Sequence, residues 1–246
     1  MKSNKFYLSY VLYVFIINLE QGVNYDKRLV LMDTITFYIA GYDPISHAQW
    51  SVLYNIKKNE HVFTKLWQEI QENYHIVDRN NSGEIRNMLD SFEYLPLVIS
   101  ETLRFDNPAY FSLGYQAIKD IEIWDVPISK GSKIFLSLHG IHYNPKQWVE
   151  PWKFIPERFD SESEYFIPPA NEKSKKTRHP MSFIPFSFGL RSCPGKTLAY
   201  LELKSITSHF LSKFDYELDA DQKANDFLRF SLRSQFELKL QITKRF

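Results

Sequence analysis

Residues Phe186–Lys196 read FSFGLRSCPGK, and Cys193 within them is the only cysteine of the chain. Pro194 suits the first position of a helix, where a missing N–H costs nothing. That places Cys193 at a predicted helix entrance. Unpaired amides and the positive end of the helix dipole favour thiolate there, as does Arg191 two residues before. Gly189 and Gly195 allow backbone shapes and close approaches that a side chain blocks. A thiolate so held can be a nucleophile, a redox thiol or a metal ligand, set against the common role of a lone cysteine as an inert buried group. A nucleophile needs a base, and no histidine lies nearby in sequence. A redox switch needs a resolving cysteine, and none exists. A haem ligand needs neither. It needs a protected thiolate, a flat apolar platform and a cation for the propionates; Phe186, Phe188 and Arg191 are of the right types.

Two further groups of charged residues precede this loop. Glu101-Thr102-Leu103-Arg104 places an acid and a base three apart, on one face of a helix, where they can pair. Pro156-Glu157-Arg158-Phe159 follows, after His142-x-x-Pro145-x-x-Trp148 and Phe154. In this order, E-x-x-R, P-E-R-F and Phe186-x-x-Gly189-x-Arg191-x-Cys193-x-Gly195 resemble the cytochrome P-450 family, the haem-thiolate monooxygenases. The resemblance implies that Cys193 is the proximal ligand of haem b iron, with Phe186, Gly189, Arg191 and Gly195 shaping the haem site. A thiolate ligand pushes electron density onto the metal and favours O–O cleavage. It also implies a buried ion network of Glu101, Arg104 and Arg158 that supports the loop.

Ala40-Gly41-Tyr42-Asp43 resembles the family's long oxygen-side helix, whose pattern is A-G-x-D/E-T-T. By that resemblance Ala40 and Gly41 leave room for oxygen, and Asp43 relays protons. Pro44 and Ile45 stand where two hydroxyl residues are expected, with Ser46 or water as the substitute. Relatives that isomerise or use peroxides often lack the threonine. No Lys or Arg occurs from Phe105 to Ile118, which leaves Arg191 as the propionate cation.

The elements that must position these residues follow from periodicity. A long helix is expected over 28–58, with Leu29, Met32, Ile35, Tyr38 and Ile39 at helical spacing and Pro44 kinking or breaking it. Further helices are predicted at Thr64–Tyr74 and over 91–105, the E-x-x-R helix, separated by a turn at Asp78–Gly83. Asp120–Leu138 alternates and is broken by Pro127 and Gly131, as short strands would be. Pro145–Pro185 reads as coil. The span 186–214 is the haem loop and proximal helix, with Ala199, Leu203, Ile206, Phe210 and Phe214 in step. Leu228 to Ile242 alternates like a closing hairpin. The expected fold is mainly α with small β-sheets in one domain, 1–246, corresponding to the C-terminal portion of the cytochrome P-450 fold.

Composition bounds the alternatives. Thirty Lys and Arg against 29 Asp and Glu give no pull towards nucleic acid. One cysteine excludes an internal disulfide and paired-cysteine zinc sites. The run Phe6–Ile17 is short for a membrane span, and no small-residue cleavage site follows it. It reads first as a buried helix and second as a membrane-surface contact.

Three functions stay open. In the first, an oxygen atom from O2 enters an apolar small molecule, with electrons from NADPH through a cytochrome reductase at the cytoplasmic face of the endoplasmic reticulum. The basic stretch Lys173, Lys175, Lys176 and Arg178 would then suit an acidic electron donor or be a solvated loop. The second is a peroxide-driven or isomerase-type haem-thiolate enzyme. The third is a non-catalytic fragment, since the resemblance covers residues 28 to 246 and only the C-terminal half of the family's fold.

Overall fold

A computed structural model of the chain describes residues 26–75, 77–78, 81–169, 177–219 and 239–245. Within them α1 spans Lys27–Lys58, α2 Glu60–Asn73, α3 Ser82–Asp90, α4 Tyr94–Phe105, α5 Leu138–His142 and α6 Lys196–Lys213. Three antiparallel pairs join β1 (Tyr115–Gln116) to β4 (Lys133–Ile134), β2 (Ile121–Ile123) to β3 (Val126–Ile128), and β5 (Phe214–Leu218) to β6 (Leu240–Lys244). The class is the expected one, helical with small sheets. The apolar run Phe6–Ile17, Lys173, Lys175, Lys176 and the segment 220–238 lie outside the described residues.

Contacts divide the chain at Pro44 into two units. In the first, Leu29, Met32, Ile35, Tyr38 and Ile39 of α1 are between 43% and 63% exposed. Thr34 and Thr36 bond back to the carbonyls of Val30 and Met32, each at 2.8 Å. Pro44 does not break α1, which runs on to Lys58. A proline deletes one backbone bond, but packing holds the following turns: Ala48, Val52 and Ile56 are buried in the second unit's core.

That core takes Val52 and Ile56 from α1, Leu66 and Ile70 from α2, Leu95 and Ile99 from α4, and Leu203 and Leu211 from α6, none more than 1% exposed. Val62, Leu66 and Ile70 recur every fourth residue and form one buried stripe along α2. Gln49 Nε2 donates to Thr207 Oγ1 at 3.1 Å, and the Tyr216 hydroxyl to the Leu53 carbonyl at 2.7 Å.

Helix α3 begins within the turn expected at Asp78–Gly83. Asn81 caps it, accepting from the Glu84 amide at 3.1 Å, so N-x-x-E was the local start signal. Ser91 is therefore the end of α3 and not the start of α4. Helix α4 begins at Tyr94, and its cap comes from another element. The Glu69 carboxylate on α2 accepts from the amides of Glu93, Tyr94 and Leu95 at 2.6, 2.6 and 2.9 Å. A negative group at a helix N-terminus also meets the dipole favourably.

Candidate functional site

Helix α4 carries Glu101 and Arg104, and both are buried, at 0% and 1% exposure. Arg104 Nε and Nη2 donate to the two Glu101 oxygens at 2.7 and 2.8 Å. Its remaining N–H groups reach the carbonyls of His142, Pro151 and Lys153 at 3.0, 2.9 and 3.2 Å. Arg158, in a 3-10 turn over Pro156–Phe159, donates Nε to Glu101 Oε1 at 3.2 Å. Its other nitrogens donate to the carbonyls of Val149, Glu150 and Lys153. A guanidinium presents five donors in a fixed fork, and here the forks staple segment 149–153 onto α4. Glu150 is held at φ 44° while its carbonyl accepts from Arg158 at 2.7 Å. That left-handed backbone is a cost the network sustains. Burial pushes the Arg158 pKa down, and the nearby Glu101 charge opposes this.

Trp148, 1% exposed, lies beneath this network. Arg104 sits 5.3 Å and Arg178 4.4 Å from its ring centroid. Arg178 Nη2 donates to the carbonyls of Arg158 and Tyr165 at 2.6 and 2.9 Å. Arg178 is thus committed to the interior and is not the free surface cation that a donor-docking stretch requires. Burial, then the charge of Arg158, push its pKa down to about 10. His142 accepts from the Ile184 amide at 3.1 Å through Nε2, which requires a neutral ring. Burial, then Arg104, lower its pKa to about 3.

The cysteine loop follows. Its geometry differs from the helix-entrance expectation: α6 starts at Lys196 with Gly195 as N-cap, so Pro194 is not the first helical residue. Cys193 lies two residues before the cap, further from the helix end than predicted. The loop closes on itself, the Cys193 amide donating to the Phe186 carbonyl at 2.9 Å. Between them Ser187 and Gly189 adopt φ of 60° and 70°, a conformation that suits glycine. A Cβ on Gly195 would stand 3.7 Å from Sγ, an ordinary van der Waals contact. Phe186 is half-buried and packs on Tyr200 of α6, ring centroids 5.5 Å apart. Cys193 itself is exposed, as are Phe188, Leu190 and Arg191.

An open thiol, an apolar border and a cation are the groups that would hold a haem. Cys193, Phe186, Gly189, Arg191 and Gly195 share this loop. Glu101, Arg104 and Arg158 meet in the buried network. Ala40, Gly41 and Asp43 belong to the first unit, where a Cβ on Gly41 would meet nothing within 4 Å. Residues 9–242 match the family described as Cytochrome P450.

The chain belongs to the cytochrome P450 family. It is 31% identical to thromboxane-A synthase of Sus scrofa over 188 residues, 76% of this chain and 32% of the relative. It is 31% identical to cytochrome P450 3A28 of Bos taurus over 192 residues, 78% of this chain and 34% of the relative. Among solved structures, the haem domain of cytochrome P450DA superposes with a TM-score of 0.73 at 23% identity, over 90% of this chain and 46% of that one. A zebra fish cytochrome P450 structure with abiraterone gives 0.69 at 25% identity, covering 91% and 50%. This cytochrome P450 chain thus spans a third to a half of the length of these relatives. The family implies haem, a small-molecule substrate, O2 and a redox partner.

Residue-type reasoning did not place Arg178 or His142 in the interior and did not single out Glu69. Arg178 stands in a basic stretch that looks solvated until Trp148 and two carbonyls are placed around it. Glu69 had no local signal, because its cap spans two helices.

Proposed function

We propose that this cytochrome P450 is a haem-thiolate monooxygenase that inserts one oxygen atom from O2 into an apolar small molecule, taking electrons from NADPH through a reductase. The observation that carries this reading is the lone cysteine, exposed on a loop closed by its own amide. When bound, haem would supply oxygen activation, favoured by an electron-rich thiolate ligand. Cys193 is the ligand. Gly189 gives the loop its turn, and Gly195 caps α6 two residues after the ligand. Phe186 braces the loop on α6, and Arg191 is the cation for a propionate. Glu101, Arg104 and Arg158 hold the preceding segment rigid, so the sulfur keeps one position. Asp43 relays protons on the oxygen side, with Ala40 and Gly41 leaving space beside it.

Membrane association, at the cytoplasmic face of the endoplasmic reticulum, rests on the family resemblance and on Phe6–Ile17. Among the described residues no helix is long and apolar enough to cross a membrane.

A second reading has its own observation. Pro44 and Ile45 stand where the family places hydroxyls, which favours peroxide-driven or isomerase-type chemistry needing no proton relay through an alcohol. Turnover with an organic hydroperoxide but none with reductase and NADPH would select it.

The deciding experiment for either haem enzyme is the carbon monoxide difference spectrum of the reduced protein. Wild type gives the red-shifted band of a thiolate-bound haem, and Cys193→Ala loses it. A wild-type chain that takes up no haem is a non-catalytic fragment and ends both readings.

A further inference from the structure

A line of side chains that this function does not use runs from α1 to the cysteine loop. His47 is 5% exposed, and its Nε2 lies 3.2 Å from Oδ2 of Asp106. Asp106 ends α4: its amide donates to the Thr102 carbonyl at 2.8 Å, and its φ of −138° and ψ of 71° turn the chain out of the helix. Asn107 follows, 6% exposed. Its Nδ2 donates to the Pro185 carbonyl at 3.2 Å, while its Oδ1 accepts from the Ala109 amide at 2.8 Å. Pro185 leads into Phe186, the residue whose carbonyl receives the Cys193 amide.

Pro185 has no N–H, so its carbonyl is its one backbone anchor. Asn107 holds that anchor, and the peptide joining it to Asp106 fixes where Asn107 can reach. The carboxylate of Asp106 is fixed in turn by an imidazole on a helix locked into the core through Ala48 and Val52. A buried imidazole is costly unless a partner satisfies it, so the pair has a strong preference for one arrangement.

We propose that His47 is a positioning residue for Cys193, acting through Asp106 and Asn107 on the peptide from which the cysteine loop hangs. Its consequence for catalysis rests on Cys193 being the haem ligand; the positioning itself does not.

The test is amide hydrogen exchange at Cys193 in the full chain. His47→Ala speeds exchange about fivefold by easing local opening of the loop. His47→Gln, whose side-chain N–H can still donate to Asp106, stays within about twofold of wild type. Asn107→Ala matches His47→Ala, and the double variant exchanges no faster than either, because both cut one line. Val62→Ala, in the core on α2 and outside this line, lowers global stability and leaves Cys193 exchange unchanged. Equal exchange in wild type and His47→Ala, or additive effects in the double variant, overturns the proposal. Haem-loaded His47→Ala also shows a weaker thiolate band than wild type. If wild type shows no such band, the haem reading fails, and exchange in the haem-free chain still decides the role of His47.

Discussion

Glu101 and Arg158 meet across 57 residues of chain, Nε 3.2 Å from Oε1, with both side chains at 0% exposure. The same oxygen accepts from Arg104 at 2.8 Å and from the Ile155 amide at 2.8 Å. One carboxylate therefore compensates two buried cations. Removing one partner of a buried pair leaves a charge with nothing to offset it. Glu101→Gln should cost about 3–5 kcal/mol of unfolding free energy by denaturant titration. Arg158→Lys should cost nearly as much, because an ammonium cannot reproduce the fork. A loss below about 1 kcal/mol in both, the scale of an exposed pair, would show that the network is not a stabilising unit.

His142 makes stability depend on pH. Its folded pKa is about 3, against about 6.5 in the unfolded chain. Between those values the folded state binds fewer protons than the unfolded state. Stability therefore rises with pH through that window and is complete above 6.5. Going from pH 7 to pH 5 should cost about 2 kcal/mol from this group. His142→Gln keeps an acceptor for the Ile184 amide but cannot titrate. Its stability should fall less over the same interval, and parallel pH curves for the two proteins would refute the assignment.

Arg178 stacks among Trp148, Phe159 and Phe166 and bonds two carbonyls. Arg178→Ala should destabilise by about 1–3 kcal/mol. Arg178→Lys keeps the charge but not the flat group and should recover less than half of that. Full recovery in the lysine variant would mean that charge alone matters here.

Two neighbouring residues should respond in opposite directions. Gly189 sits at φ 70° with nothing within 4 Å of an added Cβ, so Gly189→Ala should cost about 1 kcal/mol through the backbone alone. Ser187 sits at φ 60°, so Ser187→Gly should recover part of the same strain. Melting temperatures that fall in both variants would contradict the backbone account.

Local chemistry was legible where it was written locally. The E-x-x-R spacing and the cysteine loop lie within single elements, and their residues could be read directly. The helical stripes at Leu66 and Ile70, and at Leu95 and Ile99, followed from period alone. What escaped notice depended on distant partners. The start of α4 is set by Glu69, the course of α1 through Pro44 by core packing, and the fate of Arg178 by Trp148. The start of α6 differs from the expectation because a proline fits several positions near a helix entrance.

The placement of Trp148 makes the fold optically self-reporting. Among the chain's tryptophans, Trp148 is 1% exposed between two guanidiniums, whereas Trp124 is 93% exposed at a hairpin tip. A single-tryptophan variant keeping only Trp148 would emit to the blue while Arg104 and Arg178 enclose it. It would shift to the red when they part, so fluorescence could follow assembly of the segment before Cys193 without haem, substrate or turnover.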